Sequence, residues 1–350
     1  MNIASDVSLI SSINQATGVQ RVVVETHRNL IQFFKGTNYK LRGLNLRENN
    51  LITNNSYLLS DPTLLPPYFQ YEEADVILCL DLNNGYVFRK FISQSNNPIV
   101  ITLIHDILPI THPQYFDTDS IHIKAYLTRA IKMSKFIVTT SEYTKNEMLK
   151  LNLNTNTEIK VIALGSYHDP VLTVKSENNK ISIIAVNTVD PRKGHLDLLD
   201  AFDILIEKKY DIELVIVGRY NMSDNLIRDR ILNHKEFGGK LKWFYTGISD
   251  SDLEDLYSRS NISVVASYSE GFGLTLEEGL AYGNKVIARD IDVFRERPHA
   301  NLYFFRGNGL ELAETIIKIS DEKLDITSIS ETRTMKDFAN ELKNLIYSLH

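Results

Sequence analysis

A single cysteine in 350 residues, Cys79, leaves nothing to form an intrachain disulfide or a cysteine-rich metal site. Its setting in the strand-like stretch DVILCLD reads as a small buried hydrophobe. No apolar run approaches the roughly 20 residues needed to cross a bilayer. The opening MNIASDVSLI has neither the basic start nor the apolar stretch of a secretory signal. A basic field is also lacking. The net charge is −6, which argues against a nucleic-acid binder. There is no G-x-S-x-G, H-E-x-x-H, Walker or G-x-G-x-x-G sequence, so hydrolase, zinc protease, P-loop and nicotinamide dehydrogenase readings have no support. These absences together describe a cytoplasmic globular protein.

What is present is a chain long enough for two domains, 43% hydrophobic and 23% charged. Apolar, β-branched runs at 39–46, 75–81, 98–104, 136–140 and 159–164 alternate with helical spacing at 18–34, 120–133 and 141–150. A polar, non-periodic stretch follows, and the alternation resumes with strands at 181–187, 213–218, 241–246, 262–266, 286–288 and 302–305. This pattern predicts an α/β protein of two doubly wound parallel sheets. The expected boundaries are 1–166 for the first domain, 167–180 for a linker and 181–331 for the second domain, with an amphipathic helix at 332–350.

The most informative stretch is 269–292, SEGFGLTLEEGLAYGNKVIARDID. A strand, the turn Glu270-Gly271-Phe272-Gly273, a helix from Leu274 and a stop at Gly283 aim free amides and a positive helix end at one point. The backbone from Gly271 to Thr275 would face an anion, and Glu270 and Glu278, eight apart, would bracket it. Amides for phosphates with carboxylates for hydroxyls suggest a nucleotide sugar. The bland reading is a glycine-capped turn joining two core elements.

Arg192-Lys193, directly after the first strand of the second half, are placed to neutralise a diphosphate, Arg as a planar fork and Lys as a point charge. A solvated basic pair is the alternative. His105-Asp106 ends a strand, where open α/β sheets place ligands, although a buried satisfied histidine is the commoner case. Thr17 is a candidate helix cap, with Gly18 beside it allowing a close backbone approach. The loop 49–72 fixes no role. D-x-D triplets occur at 117–119, 250–252 and 290–292, but none follows a strand in a metal-binding context, and the basic pair makes a metal redundant. No metal and no cofactor are assigned.

EGFGLTLEE followed by GNKVIARD resembles the signature of retaining glycosyltransferases of family 4, of the GT-B fold. That resemblance implies two Rossmann-like domains facing across a cleft, with Glu270 beside the donor sugar and Glu278 on the nucleotide ribose. It also implies that Arg192 and Lys193 meet the diphosphate, His105 contacts the sugar, Gly18 approaches the phosphates and Asp250 meets the base; Asp106, beside His105, is read as orienting that ring or the loop. Departures stand at Glu277, Gly279 and Lys285, where the family usually has leucine, alanine and proline. TGVQRV and IHDILP resemble bacterial surface-polysaccharide mannosyltransferases. The resemblance therefore implies GDP-mannose as donor, with UDP- or dTDP-hexoses as alternatives. It further implies a glycan or lipid-linked oligosaccharide acceptor, peripheral contact with the inner membrane face, and a last helix crossing back to the first domain. The competing reading is a non-catalytic GT-B subunit that binds glycan or nucleotide for another enzyme.

Overall fold

In a computed structural model of the chain, residues 1–8, 18–45, 68, 70–81, 98–116, 120–152, 157–171, 180–220, 225–246 and 248–349 are described. Thr17, most of the loop 49–72, the triplet 117–119, the later part of the expected linker and Gly247 fall outside them. Named in chain order, the helices used below are α1 (Gly18–Phe34), α2 (Ser120–Met133), α3 (Glu142–Lys150), α4 (His195–Glu207), α5 (Leu226–Leu232), α6 (Asp250–Arg259), α7 (Leu274–Ala281), α8 (Gly309–Ser320) and α9 (Met335–Tyr347). The chain divides into two units, Met1–Gly165 with Thr334–His350, and Ser166–Arg333. No described helix is long and apolar enough to cross a membrane.

The first unit is built on β1 (Asn2–Asp6), β2 (Lys40–Leu44), β3 (Val76–Cys79), β4 (Ile99–Ile104), β5 (Phe136–Thr139) and β6 (Glu158–Val161), in the order β2-β1-β3-β4-β5-β6. Every pairing is parallel; Ile3 lies opposite both Leu41 and Val76. Five of these strands follow the apolar runs of the sequence. The sixth, β1, was not expected. NIASD carries one β-branched residue, and it becomes a strand because β2 and β3 pair on either side and bury Ile3 and Ala4 completely. Helix α9 packs on α1 within this unit. Its apolar residues Met335, Phe338, Ala339, Leu342, Leu345 and Ile346 keep helical spacing and are all buried. Thr334 and Asp337 form its capping box, and Tyr347 meets Tyr39 at 4.9 Å between ring centres.

The second unit has β7 (Ile181–Val186), β8 (Ile212–Val217), β9 (Leu241–Phe244), β10 (Ile262–Val265), β11 (Lys285–Arg289) and β12 (Leu302–Phe305). Their order is β12-β11-β10-β7-β8-β9, again all parallel. Ile183, Leu214, Val264 and Ile287 carry its central layer beneath α4 and α8. Such side chains contribute about 1.5–3 kcal/mol each when fully buried. The chain reverses its direction of travel across this sheet between β7 and β10, and there the carboxyl ends of two neighbouring strands diverge.

One sequence expectation changes. Ser166, expected to end the first domain, and the first residues of the expected linker are folded onto the second unit: Ser166 N–H bonds Arg333 O at 2.8 Å, and Val171 N–H bonds Ala281 O at 2.8 Å. His168 lies against the Tyr282 ring and Glu254. These backbone bonds hold a stretch that has no periodicity of its own. Helix α6 starts at Asp250 because Ser249 caps it and Asp252 returns the bond, so Asp250 is a first-turn helical residue.

Candidate functional site

At the switch point of the second unit, β7 runs into Asp190-Pro191-Arg192-Lys193-Gly194. A tight turn, Pro191–Lys193, ends on Gly194 in the left-handed region (φ 69°) and passes directly into α4. Glycine is required here. A Cβ on Gly194 would sit 2.2 Å from the carbonyl oxygen of Ala266, at the end of β10. That close approach brings the two cations against the 267–270 segment. Tyr268 N–H bonds Arg192 O at 2.8 Å, and Arg192 Nη1 donates to Ser269 O at 2.7 Å.

Arg192 and Lys193 then converge on one carboxylate. Arg192 Nη1 lies 3.3 Å from Glu270 Oε2, and Lys193 Nζ donates to Oε1. Only 10% of the Glu270 side chain is exposed. Burial opposes its ionisation, but the charges of Lys193 and then Arg192 outweigh that, helped by the hydrogen bond from Lys193. The carboxyl is held down at about 2. Two groups beside the cluster respond to burial. Burial raises the Asp190 carboxyl from its ordinary value, and one of its buried oxygens lacks a partner among the described residues. His195 is pushed down to about 4 and so is neutral near pH 7.

Glu270 leads into the turn and α7. Gly273 caps the helix in the left-handed region (φ 90°), over the Phe294 ring, where a Cβ would fall 2.4 Å from Cε1. The first-turn amides of a helix have no intrahelical acceptor, and the helix end favours an anion. Gly271, Phe272, Gly273, Leu274 and Thr275 are therefore continuous with the charged cluster. Glu278 follows on the same helix. One turn into α7, it is buried and accepts the Tyr257 hydroxyl from α6 at 2.8 Å. Tyr257 stacks on Tyr282 at 5.2 Å with rings nearly parallel. Removing this hydroxyl with Tyr257→Phe is expected to cost about 1.5–3 kcal/mol, the range for a buried bond to a charged group, read as a lowered urea midpoint. Asp250 lies exposed on the first turn of α6.

The remaining expected residues lie in the first unit. His105 Nε2 is 2.9 Å from Leu80 O, tying the end of β4 to that of β3. Asp106 Oδ1 accepts the Leu108 N–H at 3.0 Å, so it shapes the following turn. Gly18 is exposed at the start of α1. The same sheet end holds residues not singled out in the sequence: Asp6 and Asp81, each 4% exposed, with Gln20 Nε2 3.1 Å from Asp81. Their signal was positional, an acid at the carboxyl end of each strand beside the β1–β3 switch point.

In the second unit, long-range charge pairs were also missed. Glu277 faces Arg297, and Arg289 pairs with Asp197 while its guanidinium lies 3.9 Å over the Tyr268 ring. Lys285 Nζ caps the end of α8 through carbonyls including Ile319 O at 2.6 Å. The two described acidic triplets are engaged with protein groups: Asp252 with Ser249, and Asp290 with Arg295 and Arg306. Among the described residues no cluster of three or more potential ligands is placed to hold a metal.

Residues 173–335 match the family model "Glycosyl transferases group 1". The serotype-specific mannosyltransferase WbdA of Escherichia coli is 27% identical over 279 residues, covering 73% of this chain and 34% of WbdA. The chain thus spans about a third of the length of that relative. The O-antigen chain mannosyltransferase B of Escherichia coli is 26% identical over 205 residues, 55% of this chain and 53% of the relative. In structure, Anabaena HepE in complex with UDP and glucose matches with a TM-score of 0.70 at 14% identity, covering 99% of this chain and 100% of that one. The lipopolysaccharide outer core galactosyltransferase WaaB matches at 0.68 with 14% identity and complete coverage of both. Two six-stranded parallel Rossmann-like units and these neighbours establish the GT-B fold, and within it residues 173–335 are similar to the glycosyl transferases group 1 model.

Proposed function

We propose that the chain transfers a hexose, mannose from GDP-mannose, to a hydroxyl of a glycan or lipid-linked oligosaccharide in bacterial surface-polysaccharide synthesis. The observation that carries this reading is the convergence of Arg192, Lys193 and Glu270 at the switch point, continuous with the Gly273-capped helix. The donor is supported by the names of the mannosyltransferase relatives.

In this mechanism the diphosphate displaces Glu270 from the two cations, which then face the phosphates, and the freed carboxylate accepts hydroxyls of the sugar. The bond from the anomeric carbon to the β-phosphate oxygen breaks, and its electron pair leaves with the diphosphate. Arg192, Lys193 and the amides of 272–275 offset the growing charge, with the Thr275 hydroxyl as a further donor. The acceptor oxygen bonds the anomeric carbon on the face the phosphate leaves, and its proton passes to the departing phosphate oxygen. Configuration is retained, and the two cations do the work a metal would do. The reaction belongs at the inner face of the cytoplasmic membrane, where such acceptors are presented.

Thermal unfolding against GDP-mannose, UDP-glucose, UDP-N-acetylglucosamine and a dTDP-hexose, all with excess EDTA, tests the donor. GDP-mannose near 100 times its Kd is expected to raise the midpoint by about 2–4 °C, the others by less. NMR of the product should show the anomeric configuration of the donor. An inverted product, or no shift with any nucleotide sugar, would sink the reading.

A further inference from the structure

Behind the glycine turn lies a segment with no part in the chemistry above. After β11 the chain forms one helical turn, Asp292–Arg295, and continues through Arg297. Phe294 closes the space beneath Gly273. Arg297 makes two contacts with the neighbouring Phe272 and one with Glu277: Nη2 donates to the Phe272 carbonyl oxygen, the guanidinium lies 3.7 Å over the Phe272 ring, and Nη1 donates to Glu277 Oε1 at 3.0 Å. The Arg297 side chain is 17% exposed and that of Glu277 is 7%. The pair is therefore largely removed from solvent, and neither charge is spare for a ligand.

We infer that Arg297 is a positioning residue that sets the diphosphate-facing amides of the turn, with Glu277 as its fixed counter-ion. The inference rests on the diphosphate reading of this turn under the proposed function. Its physical core is the planarity of the trans peptide, in which C=O and N–H point opposite ways. Holding the Phe272 carbonyl towards Arg297 directs the Gly273 N–H away from it. Glycine at a positive φ would otherwise leave that peptide plane free to rotate. The planar guanidinium can stack and bond two acceptors at once, which an ammonium cannot. Glu277 keeps the buried cation compensated, and α7 carries Glu277 one turn beyond the peptide being held.

The test compares Arg297→Lys, Arg297→Met and the double variant Glu277→Leu with Arg297→Met. Arg297→Met alone leaves a buried carboxylate without its partner and risks misfolding. The double variant removes both charges and keeps apolar volume. Hydrogen exchange of the 272–275 amides is read first, without ligand, and is expected to speed up at least tenfold in the double variant. Calorimetry with GDP, UDP and the two parent nucleosides follows. The Kd for the diphosphate wild type prefers should rise about tenfold, that for its nucleoside should stay within twofold, and Arg297→Lys should recover part of the loss. In transfer assays the donor KM should carry the effect and kcat should move less than threefold. Unchanged amide exchange, or an equal loss for nucleoside and diphosphate, overturns the inference and leaves the proposed function intact. A wild type that takes neither diphosphate overturns both.

Discussion

Glu270→Gln is expected to cut hexosyl transfer by on the order of 10²–10³, the scale for losing one preorganised polar group at a reacting centre. The substitution keeps the shape and removes the charge that Arg192 and Lys193 surround. Nucleoside diphosphate binding should respond in the opposite sense. With the competing carboxylate neutralised, both cations are released, so the Kd for the diphosphate should stay level or tighten. A fall in kcat with no rise in Kd separates this role from a general loss of the site. Transfer within tenfold of wild type would end the assignment.

The same variant has a signature in acid. The Glu270 carboxyl is depressed from 4.5 to about 2 in the folded state. Its contribution is therefore fully present above about pH 4.5 and is lost as pH falls towards 2. At 1.36 kcal/mol per pK unit this is about 3 kcal/mol for a largely buried group. Urea titrations between pH 5 and pH 2 should show a shallower fall in stability for Glu270→Gln than for wild type. Equal slopes would place the ion cluster outside the stability balance.

Gly194→Ala is expected to be the most damaging small substitution near the site, costing about 3 kcal/mol or more. A non-glycine residue in the left-handed region costs about 1–2 kcal/mol in itself. The rest comes from a methyl 2.2 Å from the Ala266 carbonyl oxygen, a backbone atom that cannot swing aside. Either the Pro191–Lys193 turn or the end of β10 must shift, and those two pieces bring Arg192, Lys193 and Glu270 together. Activity should fall with stability. Gly36→Ala is the control, since Gly36 has a similar φ of 77° with nothing within 4 Å of the added carbon. Its cost should be near the conformational part alone. A Gly194→Ala variant as stable as Gly36→Ala would show that the close approach does not hold the site.

Much of this site was legible because its chemistry is local in the chain. PRKG and EGFG each place their functional residues within four positions, and buried β-branched runs mark the strands that deliver them. What stayed hidden is compensation at long range. Arg297 answers Glu277 from 20 positions away and Arg289 answers Asp197 from 92, and no periodicity encodes either partner. Glu277 stands where the resembled family usually has leucine, and in the fold it is half of an ion pair behind the turn. β1 was missed because its burial comes from neighbours on both sides, not from its own composition. The start of α6 at Asp250 was readable beforehand, since SDSD offers a capping box.

The interleaving of the two units has a consequence for how the protein is made. Everything from Ser166 to Arg333 is one uninterrupted segment, and its first and last residues are joined by a backbone bond of 2.8 Å. The other unit needs α9 against α1, so ribosomal synthesis must finish an entire intervening domain before the earlier one can close. With its ends side by side, the inner segment has the form of a cassette: its exchange for the matching piece of a relative needs only two junctions, after Gly165 and before Thr334, which lie next to the bonded pair Ser166 and Arg333.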